Sequence, residues 1–160
     1  MLKKLSEEVH NLLLKSGKKI SFAESCTGGL LQKLITDNSG SSYYFEGGLI
    51  VYSNKFKEEL LGVPKEILLK HGAVSSECAL AMVSGLKQLT GADICISVTG
   101  IAGPTGGSKE KPVGTVWFGL DILGELESNC QFFNGSREEV REQSAVYVLN
   151  RIKEYLRSEK

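Results

Sequence analysis

Histidine and paired cysteine are scarce in this sequence, and their scarcity removes several kinds of chemistry at once. Two histidines and four cysteines occur in 160 residues. The cysteines (Cys26, Cys78, Cys95 and Cys130) form no C-x-x-C pair, which argues against a structural zinc site or a disulfide framework and for a reducing compartment. Charge bias is missing too. Nineteen basic side chains offset nineteen acidic ones, so no global field draws the chain onto nucleic acid or an anionic membrane. No stretch approaches the roughly 18 consecutive apolar residues of a membrane span. Glu7, Glu8 and His10 interrupt the opening "MLKKLSEEVHNLLLKSG" before it can read as a signal peptide. Together these absences predict a cytoplasmic protein forming one domain over residues 1–160.

The apolar pattern supplies the architecture. Leu2, Leu5, Val9, Leu12 and Leu13 recur at helical spacing up to Gly17. "KISFAES" reads as a strand running into a turn, and "GGLLQKLITD" as a helix beginning near Thr27. "YFEGGLIVYS" reads as a strand, with Gly47 and Gly48 marking a bulge or a close backbone approach. A short helix in "NKFKEELLGVP" ends at Gly62 and Pro64. "SSECALAMVSGLKQLTGA" is a helix capped by Ser75 or Ser76 and ended by Gly91. "DICISVTG" is apolar throughout, the mark of a strand buried on both faces. A glycine-rich loop, "IAGPTGGSKEKP", precedes two strands joined in a hairpin around Leu123, Gly124 and Glu125. A last helix runs from about Ser136 to Tyr155, with Val140, Ala145, Val148, Leu149 and Ile152 inward. Early strand–helix alternation followed by adjacent strands predicts an α/β fold, a single three-layer α/β/α domain with a mixed β-sheet.

In such sheets ligands gather where strand carboxyl ends enter loops. Two loops occupy that position, Glu24 to Gly29 and Thr99 to Gly107, and both mix glycine with hydroxyls. Neither matches a nucleotide-binding G-x-x-x-x-G-K-[ST] or G-x-G-x-x-G motif. Ser25 is a candidate nucleophile, against the competing reading that it caps the following helix. Cys26 beside it is the alternative nucleophile or a packing residue. Neither His10 nor His71 is tied to this turn, so a serine here needs another base. Lysine serves once burial or nearby cations lower its pKa. Lys55 and Lys57 directly follow a strand, with Tyr52 and Asn54 nearby; the competing reading is a solvated helix face. Arg137 and Arg141 lie four residues apart in the first turns of the last helix, against its dipole. A bound phosphate would remove that conflict, while pairing with Glu138 and Glu142 is the alternative.

Six ordered blocks now carry a resemblance: "AESCTGG", "GGLIVYSNKFKEELLGV", "GAVSSECALAM", "SVTGIAGPTGG", "KPVGTVWFGL" and "FFNGSREEVREQSA". From about Lys19 onward the chain resembles the C-terminal domain of competence-damage-inducible protein A (CinA), in a form without the molybdenum-cofactor-like domain of longer members. The resemblance implies a nicotinamide mononucleotide amidohydrolase, releasing nicotinate mononucleotide and ammonia in pyridine nucleotide salvage. It implies a nucleophilic Ser25 with Lys57 and Tyr52 from a Y-S-N-x-x-K block; Lys55 falls in a variable-looking slot of that block. Cys26, Thr27 and Gly28 would supply oxyanion N–H groups. Thr99, Gly100 and Gly103 belong to a T-G-I-A-G-P substrate loop. Arg137 matches the arginine of a G-D-R block that here reads Gly135-Ser136-Arg137, and Arg137, with Arg141, would bind phosphate. No metal or organic cofactor is expected, since serine, base and oxyanion hole suffice for a carboxamide. The expected partners are a small nucleotide substrate and further copies of the chain in a homodimer or larger assembly, without direct nucleic-acid or membrane contact. A nucleotide-binding or regulatory module without turnover, and a partner in competence or recombination, are the alternatives.

Overall fold

The structure, a computed structural model, describes residues 1–159. Five strands form one mixed sheet in the order β2-β1-β3-β4-β5. These are β1 (Ile20–Glu24), β2 (Leu49–Ile50), β3 (Ile94–Gly100), β4 (Thr115–Ile122) and β5 (Glu125–Phe132). β1 runs parallel to both β2 and β3, and β4 and β5 continue the sheet antiparallel. The six α-helices are α1 (Leu2–Ser16), α2 (Leu30–Thr36), α3 (Asn54–Leu61), α4 (Lys65–His71), α5 (Ser76–Thr90) and α6 (Arg137–Ser158).

Two separate cores show why the sheet is covered on both faces. Alternate residues of a strand point to opposite sides. Ile94, Ile96 and Val98 of β3 join a core with Val9, Leu13, Leu31, Val148 and Leu149, on the side of α1, α2 and α6. Cys95, between them, joins the second core with Leu61, Met82, Val83 and Leu86, on the side of α3, α4 and α5. The largely apolar run "ICISV", broken only by Ser97 and buried throughout, is the consequence of being covered from both directions. The three-layer α/β/α arrangement and the mixed sheet are those expected from the sequence.

Boundaries differ where tertiary contacts override local pattern. The "YFEGGLIVYS" strand is reduced to Leu49–Ile50, preceded by a single bridge between Ile20 and Phe45. Gly48 is the close approach: a β-carbon there would stand 2.5 Å from the Phe22 carbonyl oxygen. Helix α2 begins at Leu30, three residues later than its periodicity suggests, because residues 26–29 form a turn instead. The β4–β5 hairpin turns through Leu123 (φ 52°) and Gly124 (φ 90°), the two left-handed residues of a type I′ turn. Gly85 of α5 lets α3 settle against it, since a β-carbon would lie 1.9 Å from the Leu61 carbonyl oxygen.

This topology has a switch point at β1. The chain leaves β1 through α2 on one face of the sheet, then leaves β2 through α3 to α5 on the other. The loops after β1 and β3 therefore open side by side at the carboxyl edge, where α/β sheets place their ligands.

Candidate active site

Strand alternation sends Glu24 and Ser25 to opposite faces of the sheet. Glu24 is wholly buried at the end of β1. Its carboxylate accepts the N–H groups of Leu31 and Gln32 at 3.0 and 3.1 Å and the Gln32 side-chain amide at 3.0 Å. The α2 N-terminus is thereby capped from the preceding strand, and Gly29 in the N-cap position contributes no side-chain bond. The capping reading of Ser25 is corrected on this ground. Its N–H extends the ladder to Val98 at 2.9 Å, and its hydroxyl is left for the other face.

On that face stands Lys57. Its Nζ lies 3.0 Å from Ser25 Oγ, 2.9 Å from the Val51 carbonyl oxygen and 3.1 Å from that of Tyr52. Each local feature of the sequence contributes to this meeting. β2 pairs with β1 so that the Val51 N–H bonds the Glu24 carbonyl at 2.8 Å, bringing Val51 and Tyr52 beside the Ser25 turn. Ser53 then caps α3 by accepting from the Phe56 N–H at 3.1 Å, and Lys57 falls one turn into that helix, on its inner face. The side chain is 1% exposed. Burial disfavours the charged form and lowers the Lys57 pKa from the ordinary lysine value; the buried thiols of Cys78 and Cys26 oppose that shift. Lys55, two residues earlier, is exposed and pairs with Glu59 instead.

Cys26 behaves as a core residue. It packs in the cluster with Phe22 and Leu31, and burial pushes its thiol pKa up to about 12, which keeps it protonated and poorly nucleophilic near neutral pH. The turn it begins has a definite hydrogen-bond account. The Gly28 N–H donates to the Ser25 carbonyl at 3.0 Å and that of Leu30 to the Thr27 carbonyl at 3.1 Å. Neither the Cys26 nor the Thr27 N–H donates to a backbone carbonyl among the described residues.

Two arginines of α6 close the site from the third layer. Arg137 donates to the Gly103 carbonyl at 2.7 Å and to the Tyr52 hydroxyl at 2.9 Å. It thus ties the loop after β3 to the segment after β2. Arg141 donates to the Thr27 carbonyl at 2.9 Å. Among the described residues neither arginine forms an ion pair. Ser136, where the family block has an aspartate, caps α6. It accepts the Glu139 N–H at 3.2 Å, and the Glu139 carboxylate returns to the Ser136 N–H at 3.1 Å. Thr99 and Gly100 are engaged in packing. The Thr99 hydroxyl donates to the Ala73 carbonyl at 2.9 Å, and a β-carbon on Gly100 would meet the Thr115 carbonyl at 2.8 Å. No cluster of metal-ligating side chains occurs among the described residues, and no helix there is long and apolar enough to cross a membrane.

A serine bonded to a buried lysine at the switch point of a mixed α/β sheet defines a protein class by its fold and its site. Within that class the chain belongs to the CinA C-terminal domain family, whose model matches residues 2–156. A CinA-like protein of Thermotoga maritima is 47% identical over 155 residues, covering 96% of this chain and 38% of the relative. One from Leptospira biflexa is 52% identical over 142 residues, covering 88% and 34%. The chain thus spans little more than a third of the curated relatives it matches. Among solved structures, a CinA superfamily protein of Klebsiella pneumoniae covers 99% of both chains at 34% identity with a TM-score of 0.94. The competence/damage inducible protein CihA of Agrobacterium tumefaciens covers 94% of this chain and 93% of its own, at 35% identity and a TM-score of 0.90.

Replacing Glu24 with alanine leaves the Leu31 and Gln32 N–H groups without their acceptor. Its unfolding free energy, from denaturant titration, should fall by about 2 kcal/mol, the upper range for loss of a helix cap. An unchanged midpoint would show that Glu24 does not hold the turn.

Proposed function

We propose that this chain is an amidohydrolase that converts nicotinamide mononucleotide to nicotinate mononucleotide and ammonia through a Ser25–Lys57 acyl-enzyme. The observation that carries the reading is the surroundings of Lys57 Nζ. A neutral amine has two hydrogens and one lone pair. The carbonyls of Val51 and Tyr52 are the two acceptors, so the lone pair is left for the Ser25 hydroxyl at 3.0 Å. Burial favours that neutral form.

The chemistry follows from the positions. Lys57 takes the Ser25 proton as Oγ attacks the carboxamide carbon. The developing oxyanion is received by the free N–H groups of Cys26 and Thr27. Lys57 returns the proton to the departing amine, ammonia leaves, and an ester to Ser25 remains. Water, deprotonated by Lys57, attacks that ester, and the carboxylate product is released. Tyr52, 60% exposed, and Arg137 stand at the mouth, where a cation without a carboxylate partner suits the phosphate of the nucleotide. All of these groups come from one chain, so a homodimer or larger assembly is compatible with the mechanism and is not required by it.

The direct test is ammonia release from nicotinamide mononucleotide by the folded protein. Wild-type turnover should vanish in Ser25→Ala; turnover that persists would move the nucleophile elsewhere, and binding without release in the wild type would leave a nucleotide-binding module. The pH profile tests the base. Because only neutral Lys57 is active and its pKa is depressed, kcat/KM should rise with pH along a limb centred below 10.5, the ordinary lysine value. A limb that persists in Lys57→Met would assign it to another group. For the phosphate, Arg137→Ala should raise KM for the mononucleotide by about tenfold or more, as expected when a charged hydrogen bond is lost. An unchanged KM would remove Arg137 from substrate binding.

A further inference from the structure

Arg137 and Arg141 lie one helical turn apart on α6 and reach in different directions. Arg137 spans outward to Gly103 and the exposed Tyr52. Arg141 reaches into the turn directly after Ser25, where its Nη2 donates to the Thr27 carbonyl at 2.9 Å. That carbonyl also accepts the Leu30 N–H at 3.1 Å, while the N–H of the same peptide unit, belonging to Gly28, closes onto the Ser25 carbonyl at 3.0 Å. One guanidinium therefore helps fix the Thr27–Gly28 peptide plane, and through it the direction of the two free amides before it.

Several features of this contact cost stability. The Nε of Arg141 is buried with no hydrogen-bond partner, and so is Oγ1 of Thr27, a residue with no exposed surface. Unmade hydrogen bonds of buried groups are expensive. The cation also sits in the early turns of a helix, against the macrodipole, with no paired carboxylate among the described residues. The turn is shaped around it: a β-carbon on Gly28, whose φ is 58°, would stand 3.0 Å from Nη2. A side chain retained for folding alone would shed these costs.

Resting on the amidohydrolase reading of this site, we propose that Arg141 is a positioning residue for the nucleophile turn. It holds the Thr27–Gly28 peptide so that the N–H groups of Cys26 and Thr27 face the developing oxyanion, and it does not bind the nucleotide phosphate. Its charge, without an ion pair among the described residues, acts in the same sense as those amides.

A fluorophosphonate probe that carries no nucleotide separates positioning from substrate binding. Ser25 Oγ displaces fluoride from phosphorus, Lys57 receives the hydroxyl proton, and the phosphoryl oxygen takes the oxyanion position. The rate of mass gain at Ser25 thus reports the turn alone. Arg141→Met should slow labelling about 100-fold, as for loss of one oxyanion donor. It should lower kcat for ammonia release by a similar factor and leave KM within about threefold. Arg141→Lys keeps the charge but not the fork, and should recover only part of the labelling rate. Gly28→Ala, which presses on Nη2 with the arginine present, should also slow labelling, and adding Arg141→Met should cost little more. If Arg141→Met does not fold, Arg141→Lys and Gly28→Ala carry the comparison. Labelling of the wild type without ammonia release would sink the substrate assignment and leave the labelling rates to decide on Arg141. A raised KM with unchanged labelling would make Arg141 a phosphate ligand and overturn the proposal. So would a folded wild type that takes no label at Ser25.

Discussion

The buried amine of Lys57 is the constraint around which the rest of the site is arranged. A charged lysine removed from water is costly unless several acceptors meet it or it gives up its proton. Here three oxygens converge on Nζ, two of them carbonyls at the end of a strand and one the Ser25 hydroxyl. Meeting that geometry requires β2 to lie beside β1, Ser53 to start α3 at once, and α3 to press on α5 at Gly85. The Ser25–Lys57 contact is thus a consequence of strand pairing and helix packing, and residues distant from Ser25 set the burial of the amine.

Much of this was legible in the sequence, for identifiable reasons. The doubly buried β3 announced itself as a nearly continuous apolar run, and the inward face of α6 as a clean helical period, because both patterns are imposed directly by burial. Residue type singled out Ser25 as a candidate nucleophile and Lys55 or Lys57 as a candidate base, and the resemblance favoured Lys57, but the 3.0 Å contact of Ser25 with Lys57 depends on the register of β2 against β1. That two-residue strand carries little signal of its own. Its neighbours Gly47 and Gly48 look like strand residues in pattern, and only the approach of Gly48 to the Phe22 carbonyl shows why the ladder stops short there.

Glu24 is the residue that sequence reasoning passed over. A strand-end carboxylate in "ISFAES" can be read as the start of a polar loop, and Ser25 then becomes the natural cap for α2. The available signal was the alternation itself: Glu24 falls on the same face as Ile20 and Phe22, toward α2, while Ser25 falls with Ser21 and Ala23, toward α3. Once Glu24 takes the α2 N–H groups, the turn between strand and helix has no need of the Ser25 side chain. Capping and the contact with Lys57 are divided between adjacent residues because a strand sends them to opposite faces.

The same division explains the departure at Ser136. An arginine at the first position of α6 opposes the helix dipole, and Ser136 and Glu139 form a reciprocal capping box that satisfies the helix end without involving the Arg137 side chain. A carboxylate at position 136 would stand beside the guanidinium and partly neutralise it. Serine completes the cap and leaves Arg137 with only neutral partners, a carbonyl and a phenol. In a chain whose formal charges cancel, two arginines without an ion pair among the described residues and a buried lysine converge on one loop edge. On the amidohydrolase reading, Arg137 at the mouth of that edge, held only by neutral partners, is the charge that selects an anionic nucleotide.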